Sequence, residues 1–79
     1  MQFYDSTQPL SRLTVHYVVG AETHSVEVDP TGHTLDEHTE RLEALAESPV
    51  PGPVYVPWKR LSQGTIAIRL DAIVALDGR

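Results

Sequence analysis

Between residues 12 and 29 the chain alternates apolar and polar side chains. Leu13, Val15, Tyr17 and Val19 fall on one face of an extended segment, with Arg12, Thr14 and His16 on the other. After Gly20-Ala21-Glu22-Thr23, a second run sets His24, Val26 and Val28 against Ser25, Glu27 and Asp29. The two runs predict a β-hairpin. A one-residue slip would turn every apolar side chain to the wrong face, so register is constrained. The expected register pairs Val19 with His24, Tyr17 with Val26 and Val15 with Val28. It also sets His16 opposite Glu27 and Thr14 opposite Asp29, compatible cross-strand neighbours.

The period changes after Asp29-Pro30-Thr31-Gly32, a stretch of turn chemistry. Thr34 followed by Glu37 matches a capping box, in which each side chain satisfies an orphan N–H of a helix's first turn. The helix is expected from Leu35 to about Glu47, with Pro49 ending it because the residue before a proline avoids the α region. At about 100° per residue, Leu35, His38, Thr39, Leu42, Leu45 and Ala46 form one stripe suited to lie on a sheet.

Pro49, Pro51 and Pro53 around Gly52 read as an extended connector, without the PxxP spacing of an SH3 ligand. Val54, Val56 and Trp58 then alternate with Tyr55 and Pro57. This is a strand at a sheet edge, since Pro57 cannot donate to a ladder. Leu61-Ser62-Gln63-Gly64 makes the next turn, and Ile66, Ile68 and Leu70 alternate with Thr65, Ala67 and Arg69 in a fourth strand. From Ala72 to Leu76 every residue is apolar. Such a run predicts either a strand covered on both faces, the second cover coming from another subunit, or a short helical turn at 70–73 followed by an ordinary terminal strand.

The fold these elements predict is α+β: a small, mostly antiparallel sheet with one helix packed on it, in the order ββαβββ. Residues 1–11 read as an N-terminal arm or short extra strand, and 12–79 as a single domain. With 79 residues there is room for one core, and a domain of this size buries only about 60% of its unfolded surface. The absence of Cys excludes disulfides, thiolate metal sites and thiol nucleophiles. No signal peptide or membrane-length apolar run is visible, so the cytoplasm is the expected location. One Lys against five Arg, with no Asn, points to a high-GC genome such as that of an actinobacterium or its phage.

Charge is uneven. Residues 1–48 carry nine acids against Arg12 and Arg41, a net charge of −7, while residues 49–79 carry +2. On the helix Asp36, Glu40, Glu43 and Glu47 fall within roughly 60° of arc. Like charges at this spacing destabilise a helix by about 0.2–0.5 kcal/mol per pair. The stripe is either a solvated face or a docking face for a basic protein partner. Trp58-Lys59-Arg60 is the one basic and aromatic cluster, too small to drive nucleic-acid binding by an acidic chain.

Four histidines, His16, His24, His33 and His38, raise the question of a metal. His33 and His38 are five apart, however, where zinc-protease helices place two His at i and i+4. His33 also lies outside the capped helix, so no metal site or cofactor is assigned. No nucleophile elbow, phosphate loop or dinucleotide fingerprint is present, and no catalytic residue is assigned.

The sequence is therefore read as a non-enzymatic protein–protein interaction or self-assembling accessory module. Self-association is expected through Trp58, Ala72, Ile73, Val74 and Leu76, and partner binding through Asp36, Glu40, Glu43 and Glu47. The alternative is a small regulator or phage-encoded inhibitor whose acidic helix occupies a basic site on a host protein. A third reading is a His-dependent metal-binding or hydrolytic protein.

Overall fold

The computed structural model describes residues 8–49 and 51–79. The elements are β1 (Leu13–Val19), β2 (Glu22–Val28), α1 (Leu35–Ala46), β3 (Tyr55–Lys59), β4 (Thr65–Arg69), a 3₁₀ turn (Leu70–Ala72) and β5 (Ile73–Gly78). The fold is α+β in the order ββαβββ. Its five strands form two antiparallel sheets: β2-β1-β5, with β1 in the centre, and the hairpin β3-β4. The sheets are joined at one corner. Asp29 N–H donates to the Lys59 carbonyl at 2.8 Å, Leu61 N–H donates to the Glu27 carbonyl at 3.2 Å, and Val28 bridges Arg60.

The hairpin forms where expected, but two residues out of the expected register. Val19 pairs with Glu22, Tyr17 with His24, Val15 with Val26 and Leu13 with Val28. A two-residue loop, Gly20-Ala21, closes it. Gly20 has φ 62°, the positive value that a type II′ hairpin needs at its first central position. Because the shift is even, every side chain keeps its predicted face. Only the partners change: His16 lies opposite Ser25 and Ala75 rather than Glu27, and Glu27 lies opposite Thr14. Arg12 takes the place His16 was expected to fill, with Nη2 2.7 Å from Glu27 Oε1.

The apolar run 72–76 has a local explanation. Ala72 ends the 3₁₀ turn, and the β1–β5 ladder slips between His16/Ala75 and Tyr17/Ile73, leaving Val74 as an extra residue. Strict alternation would send Ile73 and Leu76 to opposite faces. The bulge lets both pack against the core, along with Ala72, while Val74 is 59% exposed. Of the two expectations, a helical turn followed by a terminal strand describes the backbone. Only one face of that strand is covered by the described chain.

Helix α1 begins with the predicted box: Thr34 Oγ1 accepts from Glu37 N–H at 3.1 Å, and Glu37 Oε1 accepts from Thr34 N–H at 2.9 Å. Leu35, Leu42 and Leu45 pack on the core and His38 is buried. Thr39 and Ala46, at the other margin of the predicted stripe, stay exposed. The buried centre is built from Leu10, Leu13, Val15, Val28, Val56, Trp58 and Ile68. Leu10 belongs to the segment read as an arm, yet its N–H donates to the His33 carbonyl at 3.1 Å and Pro9 bridges Thr34. Residues 1–7, the rest of that arm, lie outside the described residues.

Truncating Leu13 to Ala should lower the unfolding free energy by about 2–5 kcal/mol. Val74→Ala should stay within about 0.5 kcal/mol. Urea titration followed by Trp58 fluorescence measures both.

Candidate functional site

Two regions gather chemically useful side chains. The first is the corner between β2 and α1. Asp29 Oδ1 accepts from Thr31 N–H at 2.8 Å, holding a turn in which Thr31 and Gly32 both have positive φ (56° and 77°). This aims the Pro30 carbonyl inward, where it accepts from His33 N–H at 3.1 Å and from His38 Nε2 at 2.9 Å. A carbonyl can only accept, so Nε2 carries the proton in that bond.

Around His38 lies a ring cluster. His33 meets it edge-on at 5.7 Å, and Trp58 is tilted against it at 6.0 Å. The Arg41 guanidinium stands 5.4 Å from the Trp58 ring centre, in cation–π range. Trp58 Nε1 is buried without an acceptor among the described residues. An open depression of about 510 Å³ is lined by Thr31, His33, Glu37, His38, Glu40 and Arg41.

Within it His33 Nδ1 lies 3.3 Å from Glu37 Oε2. The Glu37 carboxyl is held below its ordinary range, first by the hydrogen bond from Thr34 N–H and then by His33. An imidazole–carboxylate pair can move a proton, but the Thr31 hydroxyl nearby donates to the Pro30 carbonyl at 2.7 Å. No group of three His, Asp or Glu among the described residues is placed to hold a metal ion.

The second region lies along the open margin of α1. Asp36, Glu40, Glu43 and Glu47 are all exposed. Glu40, Glu43 and Glu47 make no side-chain hydrogen bond or ion pair with any described residue. Beside them runs a groove of about 570 Å³ between the C-terminal half of α1, residues 52–54 of the connector and the 3₁₀ turn. A smaller one of about 250 Å³ continues it between α1 and β5, sharing Leu42 and Ile73.

The residues expected to mediate self-association divide. Val74 is exposed, Ala72, Ile73 and Leu76 are half-buried on the core, and Trp58 is only 3% exposed. Trp58 thus spends its surface inside its own chain. Sequence reasoning missed the Pro30 carbonyl as a buried acceptor and the joining of Trp58, His38 and Arg41. Residues 38 and 41 share a helix, but Trp58 reaches them only through the β2–β3 corner.

No protein-family model, curated protein or solved structure matches the chain. No helix among the described residues is long and apolar enough to cross a membrane.

The depressed Glu37 value has a pH signature. Its stabilisation is fully present above the unfolded glutamate pKa and is lost as pH falls through the lower folded value. Wild-type protein should therefore lose more stability than Glu37→Gln between about pH 5 and pH 3, by a margin that salt reduces. Thr34→Ala, which removes the other half of the box, should cost about 0.5–2 kcal/mol at neutral pH. Chemical denaturation across pH tests both.

Proposed function

We propose that the chain is a non-enzymatic interaction module that self-associates in the cytoplasm through the outer edge of β5. The observation that carries this reading is Val74: a large apolar side chain, 59% exposed, at a bulge in a strand whose outer edge no described strand covers. An open edge presents unpaired backbone donors and acceptors, and natural sheets cover or blunt such edges. A domain of this size also gains from burying further apolar surface. Ala75 is exposed next to Val74, while Ala72, Ile73 and Leu76 support the strand from the core side.

The other edge of the three-stranded sheet, on β2, is partly taken by the bridge to Arg60. Two-fold pairing of β5 with its copy would cover the β5 edge of each protomer and give a closed, two-fold contact at that edge.

A second reading is favoured by the charges of Glu40, Glu43 and Glu47, which have no partner among the described residues. In it the chain is a small regulator or phage-encoded inhibitor that binds a basic protein surface. Its acidity and lack of a larger basic patch weigh against nucleic acid as the partner.

Sedimentation equilibrium into the millimolar range distinguishes the first reading. Wild-type protein should exceed the 8.7 kDa monomer mass in a concentration-dependent manner, and Val74→Lys should remain monomeric. Wild type at monomer mass throughout would refute self-association.

A further inference from the structure

We infer that the groove beneath the C-terminal half of α1 receives a segment of a partner protein carrying aliphatic side chains flanked by Lys or Arg. The inference begins with the helix. Taking Leu35 as zero and about 100° per residue, the residues that pack inward, Leu35, His38, Leu42 and Leu45, span roughly −80° to 0°. Ala46 and Thr39 follow at roughly 20° and 40°, and the acidic arc begins with Glu43 at roughly 80°. The apolar face of α1 therefore continues past what the core covers and ends directly against the acids.

The groove lies under that uncovered margin. Leu42, Val54, Leu70 and Ile73 line it with Ala46, and its volume is about 570 Å³. That is enough for two or three aliphatic side chains. Glu43 stands at one rim. Arg69, the one cation lining the groove among the described residues, is bound bidentately by Asp71, with Nη2–Oδ2 at 2.8 Å and Nε–Oδ1 at 3.1 Å. Its charge is answered by Asp71 and does not neutralise Glu43.

Glu43 and Glu47 also sit in the last turn and at the cap of α1, where the helix dipole is already negative and no basic residue is present. Their mutual i,i+4 repulsion adds to the same local field. A basic segment would relieve this repulsion while its aliphatic side chains filled the groove. A second copy docking two-fold through the same face would bring another Glu43 and Glu47 to the site and be repelled, and a nucleic-acid backbone would be repelled in the same way. Charge complementarity therefore selects a basic protein segment as the occupant.

Of β5 this surface uses only Ile73, which packs toward the core, and not the exposed Val74, so the two can fail separately. The test uses the full chain carrying Val74→Lys, labelled with ¹⁵N, titrated with a twelve-residue peptide of alternating leucine and lysine. Two control peptides replace lysine by glutamate or leucine by serine. Saturable shifts confined to residues 42–47, 52–54 and 69–73 are expected with the leucine–lysine peptide alone. Glu43→Lys/Glu47→Lys should weaken binding at least tenfold, and Ala46→Trp, which fills the groove from an exposed position, should do the same. Circular dichroism establishes that both variants are folded.

The absence of a saturable shift, equal binding of the glutamate peptide, or unchanged affinity in the folded double variant would each overturn the inference. Peptide binding by a wild-type chain that sediments as a monomer would remove the self-association reading and leave this one standing.

Discussion

Two backbone hydrogen bonds, Asp29 N–H to the Lys59 carbonyl and Leu61 N–H to the Glu27 carbonyl, hold the end of β2 against the end of β3. That corner sets the apolar faces of the two sheets against each other. The three-stranded sheet presents Leu13, Val15 and Val28, the hairpin presents Val56, Trp58 and Ile68, and together they are the greater part of the core. The next residues also depend on this corner. Asp29 goes on to hold the turn that directs the Pro30 carbonyl at His38, and Lys59 follows Trp58, whose ring meets His38 and Arg41. One short ladder thus sets both the sheet-on-sheet packing and the aromatic cluster beside the helix.

The helix closes only part of what remains. With so small a core, α1 has enough partners for Leu35, His38, Leu42 and Leu45, and its margin at Thr39 and Ala46 overhangs the grooves. A larger domain would place another element there. Here the overhang adjoins three glutamates without a partner among the described residues, so an apolar surface and a negative field share one side of the molecule. Burying either alone is unfavourable to a partner of the wrong type. Together they define what a fitting partner must carry.

The bulge in β5 has a comparable double effect. It turns Ile73 and Leu76 to the same side, which the core uses, and it expels Val74, which the core does not. An apolar run that would ordinarily signal a doubly covered strand is accommodated with one face covered. The residue left over makes the outer edge of the strand adhesive.

Local chemistry was legible in the chain wherever a pattern is short-ranged. Alternation placed the strands, because side chains of a strand must face alternately in and out whatever they pair with. Thr34 and Glu37 marked the helix start, because the box is closed by residues three apart. The acidic arc from Asp36 to Glu47 was readable for the same reason. Decisions that join distant residues were not. The even shift of the hairpin followed from the tight Gly20-Ala21 turn, which preserves the faces and so leaves no mark in the apolar pattern. The division into two sheets, the enclosure of Trp58 and the uncovered margin of α1 depend on which surfaces meet, and so were decided by the tertiary structure. The sequence by itself determined the elements and the sign of their charge; packing decided which apolar residues were used up as core and which were left to be covered by something else.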